Sequence, residues 1–241
     1  MAGPRAPDPA VLHGMRLFAG LEAVDLSEVI RFAQTRRVPK GATVFKQGDP
    51  ADTCHALIDG RIKMVQTGAD GQQVVVRFIG PGETFGTVAT FTAASFPVDA
   101  VAMADCVEVT WTNAAMTDLM QRYPRIALNA LGIVGARLQE VQNRLREVST
   151  ERVERRVAHA LLRLVRQAGR RVEGGVEISF PLTRQDVAEM TGTTLHTVSR
   201  ILSAWEAQGL VESSRQQVMI RQPHRLVAIA EDMPAPDDES A

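Results

Sequence analysis

The chain of 241 residues contains only two cysteines, Cys54 and Cys106. That is too few for a disulfide framework, and they lie far from the CxxC spacing that holds zinc or an iron–sulfur cluster. Both read as free thiols in a core. Long apolar runs are missing too: none approaches the ~20 residues of a membrane-spanning helix. The N-terminus, Met1-Ala-Gly-Pro-Arg-Ala-Pro-Asp-Pro, lacks the apolar segment of a secretory signal. A cytoplasmic protein with no membrane partner is expected. The five histidines, His13, His55, His159, His196 and His224, include no HxH pair and are scattered along the chain. This removes the ligand set of a cupin-like metal enzyme, and with it the main enzymatic reading of a small β-barrel.

Net charge is also slight, −1 with histidine neutral, but it is unevenly spread. Residues 151–225 carry 12 Lys+Arg against 8 Asp+Glu, while residues 226–241 carry five acidic groups and no basic one. A basic excess confined to one segment is the modest footprint of a nucleic-acid-binding domain. A ligand-binding adaptor that never touches DNA has no need of it. The acidic end, residues 231–241 with Pro234 and Pro236, reads as a solvated disordered tail.

The sequence does contain enough apolar residues, 45%, for a proper core. Residues 1–14 read as a flexible arm, and Leu21 to Phe32 as a short amphipathic helix with Leu21, Val24, Leu26, Val29, Ile30 and Phe32 on or near one side. From Val38 to Trp111 the period changes to short apolar or alternating runs punctuated by glycine, which points to an all-β barrel or sandwich. Asp70-Gly71 is a hairpin turn, since both residues tolerate positive φ. After Pro124, Leu131, Val134, Leu138, Val141, Leu145 and Val148 recur at 3-4-3-4-3 spacing, one apolar seam on a helix of about seven turns. Gly132 and Gly135 cost helix stability, so a close approach of another backbone is expected there. Arg137, Glu140, Arg144 and Glu147 are charged flanks suited to a two-stranded dimer; packing of the seam on the chain's own barrel is the alternative. A second helix runs from about Glu151 to Ala168 and ends at Gly169, and a hairpin follows with Gly174-Gly175 at its turn.

Thr183-Arg-Gln-Asp186 is a capping-box-like helix start. Val187, Ala188 and Met190 give that short helix a buried face, Thr191-Gly192-Thr193 forms a turn, and a second helix opens at Thr194. This is a helix-turn-helix. Leu195, Val198, Ile201, Leu202 and Trp205 form its inward stripe, which leaves Thr194, His196, Thr197, Ser199 and Arg200 outward, where a recognition helix presents groups to base edges. Arg200 can donate two hydrogen bonds to guanine, Ser199 can meet either base type, and Thr183, Thr194 and Thr197 can anchor phosphates. Arg184 and Gln185 complete the candidate DNA-binding set. After Gly209, Leu210 to Ile220 reads as a β-hairpin, the wing.

These residues resemble the Crp/Fnr superfamily of bacterial transcription regulators over about residues 15–222. The barrel signature is Lys40-Gly-x-x-x-Phe45-x-x-Gly48-Asp49, Ile58-x-Gly60-x-Ile-Lys, Asp70-Gly71 and Pro81-Gly-Glu-Thr-Phe85-Gly86. The helix-turn-helix signature is Leu182-Thr-Arg-Gln-Asp-Val-Ala through Thr197-Val-Ser-Arg200-Ile-Leu. The resemblance implies an α+β protein with an N-terminal cyclic-nucleotide-binding-type β-roll sensor (residues 15–120), a long dimerisation helix (121–149) and a C-terminal winged helix-turn-helix (150–230). It also implies a homodimer, palindromic double-stranded DNA as partner, contact with RNA polymerase in activation, and no enzymatic activity.

Departures from the family bear on the effector. Cyclic-AMP-binding members place a glutamate after the glycine matching Gly86, and an Arg-Ser or Arg-Thr pair about ten residues later. Here those places hold Thr87 and Pro97-Val98, and a buried phosphate without an arginine would keep its charge unpaired. That argues against cyclic AMP, and the absence of clustered N-terminal cysteines excludes the iron–sulfur cluster. The reading helix is similar to that of the nitrogen-oxide-responsive branch, which implies haem, with His13, His55 or Cys54 as axial donors. An unidentified small-molecule effector held around Phe85, Gly86, Thr87, Pro97 and Val98, along the stretch from Phe85 to Phe91, is the other expectation. His196 stands where members that read TTGAT-type or TGTGA-type half-sites carry glutamate. A TTG-related half-site, altered at the base pair facing His196, is therefore expected.

Overall fold

The computed structural model describes residues 8–87, 95–214 and 216–234. The chain divides into two compact units, residues 1–141 and 142–241. Among the described residues there are seven α-helices and twelve strands.

In the first unit, eight strands form two four-stranded antiparallel sheets. The strands are β1 (Gln34–Val38), β2 (Thr43–Phe45), β3 (Thr53–Asp59), β4 (Ile62–Thr67), β5 (Gln73–Ile79), β6 (Thr84–Phe85), β7 (Asp99–Ala102) and β8 (Cys106–Thr112). One sheet has the order β1-β8-β3-β6, the other β2-β7-β4-β5. Alternation along β3 and β8 creates two cores, because successive side chains of a strand point to opposite faces. Leu57 and Cys106 turn toward an inter-sheet core with Phe45, Ile62, Ile79, Phe85, Phe96 and Val98. Cys54, Ala56, Val109 and Trp111 turn the other way, toward α1 (Ala23–Arg31) and α2 (Asn113–Arg122). The Trp111 indole donates to the Val29 carbonyl at 2.9 Å, which satisfies the one polar group of that buried ring.

Residues 8–14 are not a flexible arm. Pro9–Leu12 forms a 3₁₀ turn capped by Asp8, and Leu12 and Met15 are fully buried in the outer core. Burial of two large apolar side chains holds the segment down; residues 1–7 lie outside the described set. Val24, assigned to the apolar side of α1, is exposed, and Leu26, Val29 and Ile30 alone carry the buried face. The helix α2 was not legible as a separate element.

The long helix α3 spans Pro124–Thr150. Its first turns are buried through Ile126 and Ala130. Leu131, Val134, Leu138, Val141, Leu145 and Val148 are all exposed, 38–68%, and the four that belong to the first unit, Leu131 to Val141, are not buried against its barrel. No atom lies within 4 Å of a Cβ built on Gly132 or Gly135.

In the second unit, α4 (Val153–Ala168) buries Val157, Leu161 and Leu164. It ends at Gly169, which is extended rather than left-handed and opens strand β9 (Gly169–Val172), paired with β10 (Gly175–Ile178). The helix-turn-helix consists of α5 (Arg184–Thr191) and α6 (Leu195–Ala207), and the wing of β11 (Val211–Ser213) and β12 (Val218–Ile220). The wing joins the hairpin in one sheet of order β11-β12-β10-β9. A last helix, α7 (Pro223–Glu231), was not anticipated; it covers the stretch where the acidic tail was expected to begin. Residues 235–241 of that tail lie outside the described set.

Two turn glycines separate backbone strain from crowding. Gly60, between β3 and β4, has φ +96°, and a Cβ there would lie 2.5 Å from Cys106 Sγ and 2.7 Å from the Asp105 carbonyl oxygen. Gly71 has φ +77° with nothing within 4 Å. Gly71→Ala is expected to cost about 1 kcal/mol of unfolding free energy, and Gly60→Ala clearly more, about 3 kcal/mol. Urea denaturation measures both; equal losses would contradict the crowding at Gly60.

Candidate DNA-reading surface and sensor interior

The helix-turn-helix is assembled by its caps. The Thr183 hydroxyl accepts from the Asp186 amide at 3.1 Å, and the Asp186 carboxylate accepts from the Thr183 amide at 3.0 Å. This reciprocal pair satisfies the amides that α5 would otherwise expose. At the other end Gly192, φ +62°, adopts the left-handed conformation that stops the helix. Thr194 then caps α6, accepting from the Thr197 amide at 3.2 Å, with the two hydroxyls 3.0 Å apart.

These caps fix which side chains face outward. Val198, Leu202 and Trp205 are buried and Ile201 is half-buried. Leu195, expected in that stripe, is 47% exposed. As the first helical residue it projects back over the turn before its own Cα, past the body of the helix. Thr194, His196 and Arg200 are exposed, and Thr197 and Ser199 half-buried beside them. Of the five predicted reading residues, three are thus exposed and two half-buried. Thr183 sits half-buried at the N-cap of α5, and exposed Gln185 donates to Glu189 at 2.9 Å.

Arg184 is placed differently. Its Nη2 donates to the Ser213 hydroxyl at 2.9 Å and lies 3.4 Å from both carboxylate oxygens of Glu206. Sequence reasoning missed Glu206 and Ser213, because they stand 22 and 29 residues from Arg184 and no local pattern joins them.

The last turns of α3 bind this module. Arg144 donates to the Met190 carbonyl at 3.2 Å, near the C-terminal end of α5 where a cation is favoured. Glu147 takes Arg163 of α4 at 2.7 and 2.8 Å. Arg137 lies 3.2 Å from Glu140 and 3.8 Å from Glu83. The four charges expected to flank a dimer seam are therefore engaged with their own chain.

In the β-roll, Phe85 is buried, Gly86 has φ +72°, Thr87 is half-buried, Val98 is buried and Pro97 is exposed. A Cβ at Gly86 would lie 3.1 Å from the His55 ring and 3.2 Å from the Phe96 ring. Phe45 and Phe96 stack at 3.8 Å, and His55 stacks on Phe85 at 5.0 Å. His55 is buried with both ring nitrogens engaged, Nδ1 3.2 Å from Glu108 and Nε2 3.2 Å from the Thr53 hydroxyl. Glu108, fully buried, also accepts from Arg36 Nε at 2.6 Å. A carboxyl group so deep needs such partners. Cys54 faces the outer core, and burial pushes its thiol up to about 12; His13 is exposed beside the N-terminal 3₁₀ turn. Residues 88–91, the remainder of the expected effector lining, lie outside the described set. Toward α3, Arg77 meets Glu83 at 2.7 Å, and burial, with Arg137 nearby, lowers it to about 10.

Residues 35–123 match the cyclic nucleotide-binding domain family and residues 155–229 the Crp-like helix-turn-helix domain family. The chain is 30% identical over 219 residues to the cyclic AMP receptor protein of Thermus thermophilus, covering 91% of this chain and 98% of that one. It is 25% identical to the CRP-like cAMP-activated global transcriptional regulator of Mycobacterium tuberculosis, over 90% and 96% of the two chains. Among solved structures, FixK2 from Bradyrhizobium japonicum shares the fold with a TM-score of 0.73 at 22% identity, covering 85% of this chain and 98% of that one. A β-roll, a long helix and a capped helix-turn-helix with its wing, in this order and with these relatives, place the chain in the Crp/Fnr superfamily of DNA-binding transcription regulators.

Proposed function

We propose that the chain works as a homodimer, paired along α3, that reads a palindromic duplex through α6 and regulates transcription in contact with RNA polymerase. The observation that carries this is the exposed stripe Leu131 to Val148 on a helix whose last turns grip the reading module. Burying a Leu or Val side chain is worth about 1.5–3 kcal/mol, so six in register favour a partner helix. A two-fold pair of such modules presents two reading helices to half-sites about 34 Å apart, one turn of DNA.

In the contact set, Arg200 reads guanine, Ser199 and His196 face neighbouring base edges, and Thr183, Gln185, Thr194 and Thr197 meet phosphates. Among the described residues Arg200 has no hydrogen-bond or ion-pair partner, which leaves its fork available to a base. Arg184 is left out of this set because Glu206 and Ser213 hold it.

The effector is a small molecule other than cyclic AMP, acting on the β-roll and shifting the balance between two arrangements of the paired helices. Thr87 and Pro97-Val98 offer no cation to a phosphate at the places where cyclic-AMP-binding members have one, and the His55–Phe45–Phe85–Phe96 cluster occupies the space in front of Gly86. Haem does not fit the candidate donors. Both His55 nitrogens are engaged, Cys54 is buried in the outer core on the opposite face of β3, and His13 is exposed on another element. Arg77, Glu83 and Arg137 link β5, the loop before β6 and α3, which gives a change in the roll a route to the seam.

Selection from a randomised duplex pool tests the reading surface. The wild type should enrich a TTG-related palindrome, His196→Glu should move preference toward TTGAT, and Arg200→Ala should weaken the selected site by about 2 kcal/mol, roughly 30-fold. No enriched palindrome, or an unchanged preference in His196→Glu, would contradict the assignment. Titration calorimetry with cyclic AMP should give no saturable heat; one-site binding in the micromolar range would restore cyclic AMP as the effector.

A further inference from the structure

We propose that Glu206 is a positioning residue that anchors the wing to the reading helix and holds Arg184 away from the DNA backbone. This rests on the DNA-reading assignment above and adds a residue that sets how strongly the protein grips DNA of any sequence.

Glu206 lies in the last turn of α6 and is half-buried. Its carboxylate accepts from the Ser213 amide at 3.0 Å and from the Ser213 hydroxyl, so the end of β11 is tied to α6 by two hydrogen bonds. The same carboxylate faces Arg184 at 3.4 Å through both oxygens, and Arg184 closes the triangle by donating to Ser213 Oγ at 2.9 Å. Three segments, the start of α5, the end of α6 and the wing, thus meet at one ion pair. Arg184 is the first helical residue of α5, next to capping Thr183, and helix N-termini are where phosphates approach such proteins. Its charge is spent on Glu206 instead. A guanidinium bound to a carboxylate releases little counterion from DNA, because the phosphate must compete with the internal partner.

The chemistry separates the two roles of Glu206. Glutamine retains an oxygen that can accept from the Ser213 amide, but carries no charge to hold Arg184. Glu206→Gln therefore frees one cation beside the DNA-facing surface without releasing the wing.

The experiment is binding of the full-length chain to a random-sequence duplex by fluorescence anisotropy, from about 50 to 300 mM salt. Against the wild type, Glu206→Gln should steepen the slope of log K against log salt by about 0.9, the increment for one added phosphate contact. Its affinity at the low-salt end should rise several-fold. Adding Arg184→Met to Glu206→Gln should return the slope to the wild-type value, and Arg184→Met alone should leave it there. A slope unchanged or shallower in Glu206→Gln overturns the proposal, as does a steepening that survives Arg184→Met. A shallower slope in Arg184→Met alone would also overturn it, by showing that Arg184 already contacts phosphate; that single variant decides the matter even if Glu206→Gln fails to fold. A wild type with no salt-dependent duplex binding defeats the DNA-reading assignment itself, an outcome distinct from all of these.

Discussion

Along α3 the large side chains of Leu131, Val134, Leu138, Val141, Leu145 and Val148 are all exposed. Soluble monomers rarely leave contiguous apolar patches of this kind, and those they do leave are commonly binding surfaces. The charges that interleave with the stripe are engaged elsewhere: Arg137 with Glu83 and Glu140, Arg144 with the Met190 carbonyl, Glu147 with Arg163. The helix therefore has two jobs on two sides. Its first half is fastened to the β-roll and its last turns to the reading module, and in the proposed dimer the apolar stripe meets a partner. In the proposed dimer, how the two seams pack decides where the two reading helices stand.

The β-roll has its own internal arrangement of charge. Arg36, Glu108 and His55 form a hydrogen-bonded polar chain that runs from the exposed Arg36 to His55 among the phenylalanines. With its nitrogens occupied and its ring stacked on Phe85, His55 acts as part of the packing in front of Gly86 rather than as an open ligand position. In the proposed reading the effector is not cyclic AMP, because Thr87, Pro97 and Val98 carry no charge that could balance a cyclic phosphate.

Much of this was legible in the sequence where one local rule decides the outcome. The capping box at Thr183, the turn at Gly192 and the long helix that carries the 3-4-3-4-3 stripe each follow from local residues and appear as expected. Interactions across long separations were not legible. That Glu147 pairs with Arg163 on the next helix, and Arg184 with Glu206 and Ser213, follows only from the fold. Leu12 and Met15 were hidden behind a proline-rich opening that suggested a loose arm, although burial of both side chains fixes the segment. Nor does strand alternation reveal that Glu108 points inward: the pattern marks a face, and which face is buried depends on what packs against it.

The dimer seam is the central claim, and cysteine cross-linking tests it most directly. In a parallel two-fold seam identical positions face each other, within the roughly 4.4–6.8 Å Cα separation that a disulfide spans. The native thiols are buried and do not interfere. Under mild oxidation Leu131→Cys and Leu138→Cys should each give a covalent species of twice the 26.2 kDa chain mass, and Asn143→Cys, on the opposite side of α3, should not. A chain that stays monomeric in both seam variants, or that cross-links equally through Asn143→Cys, would contradict the account.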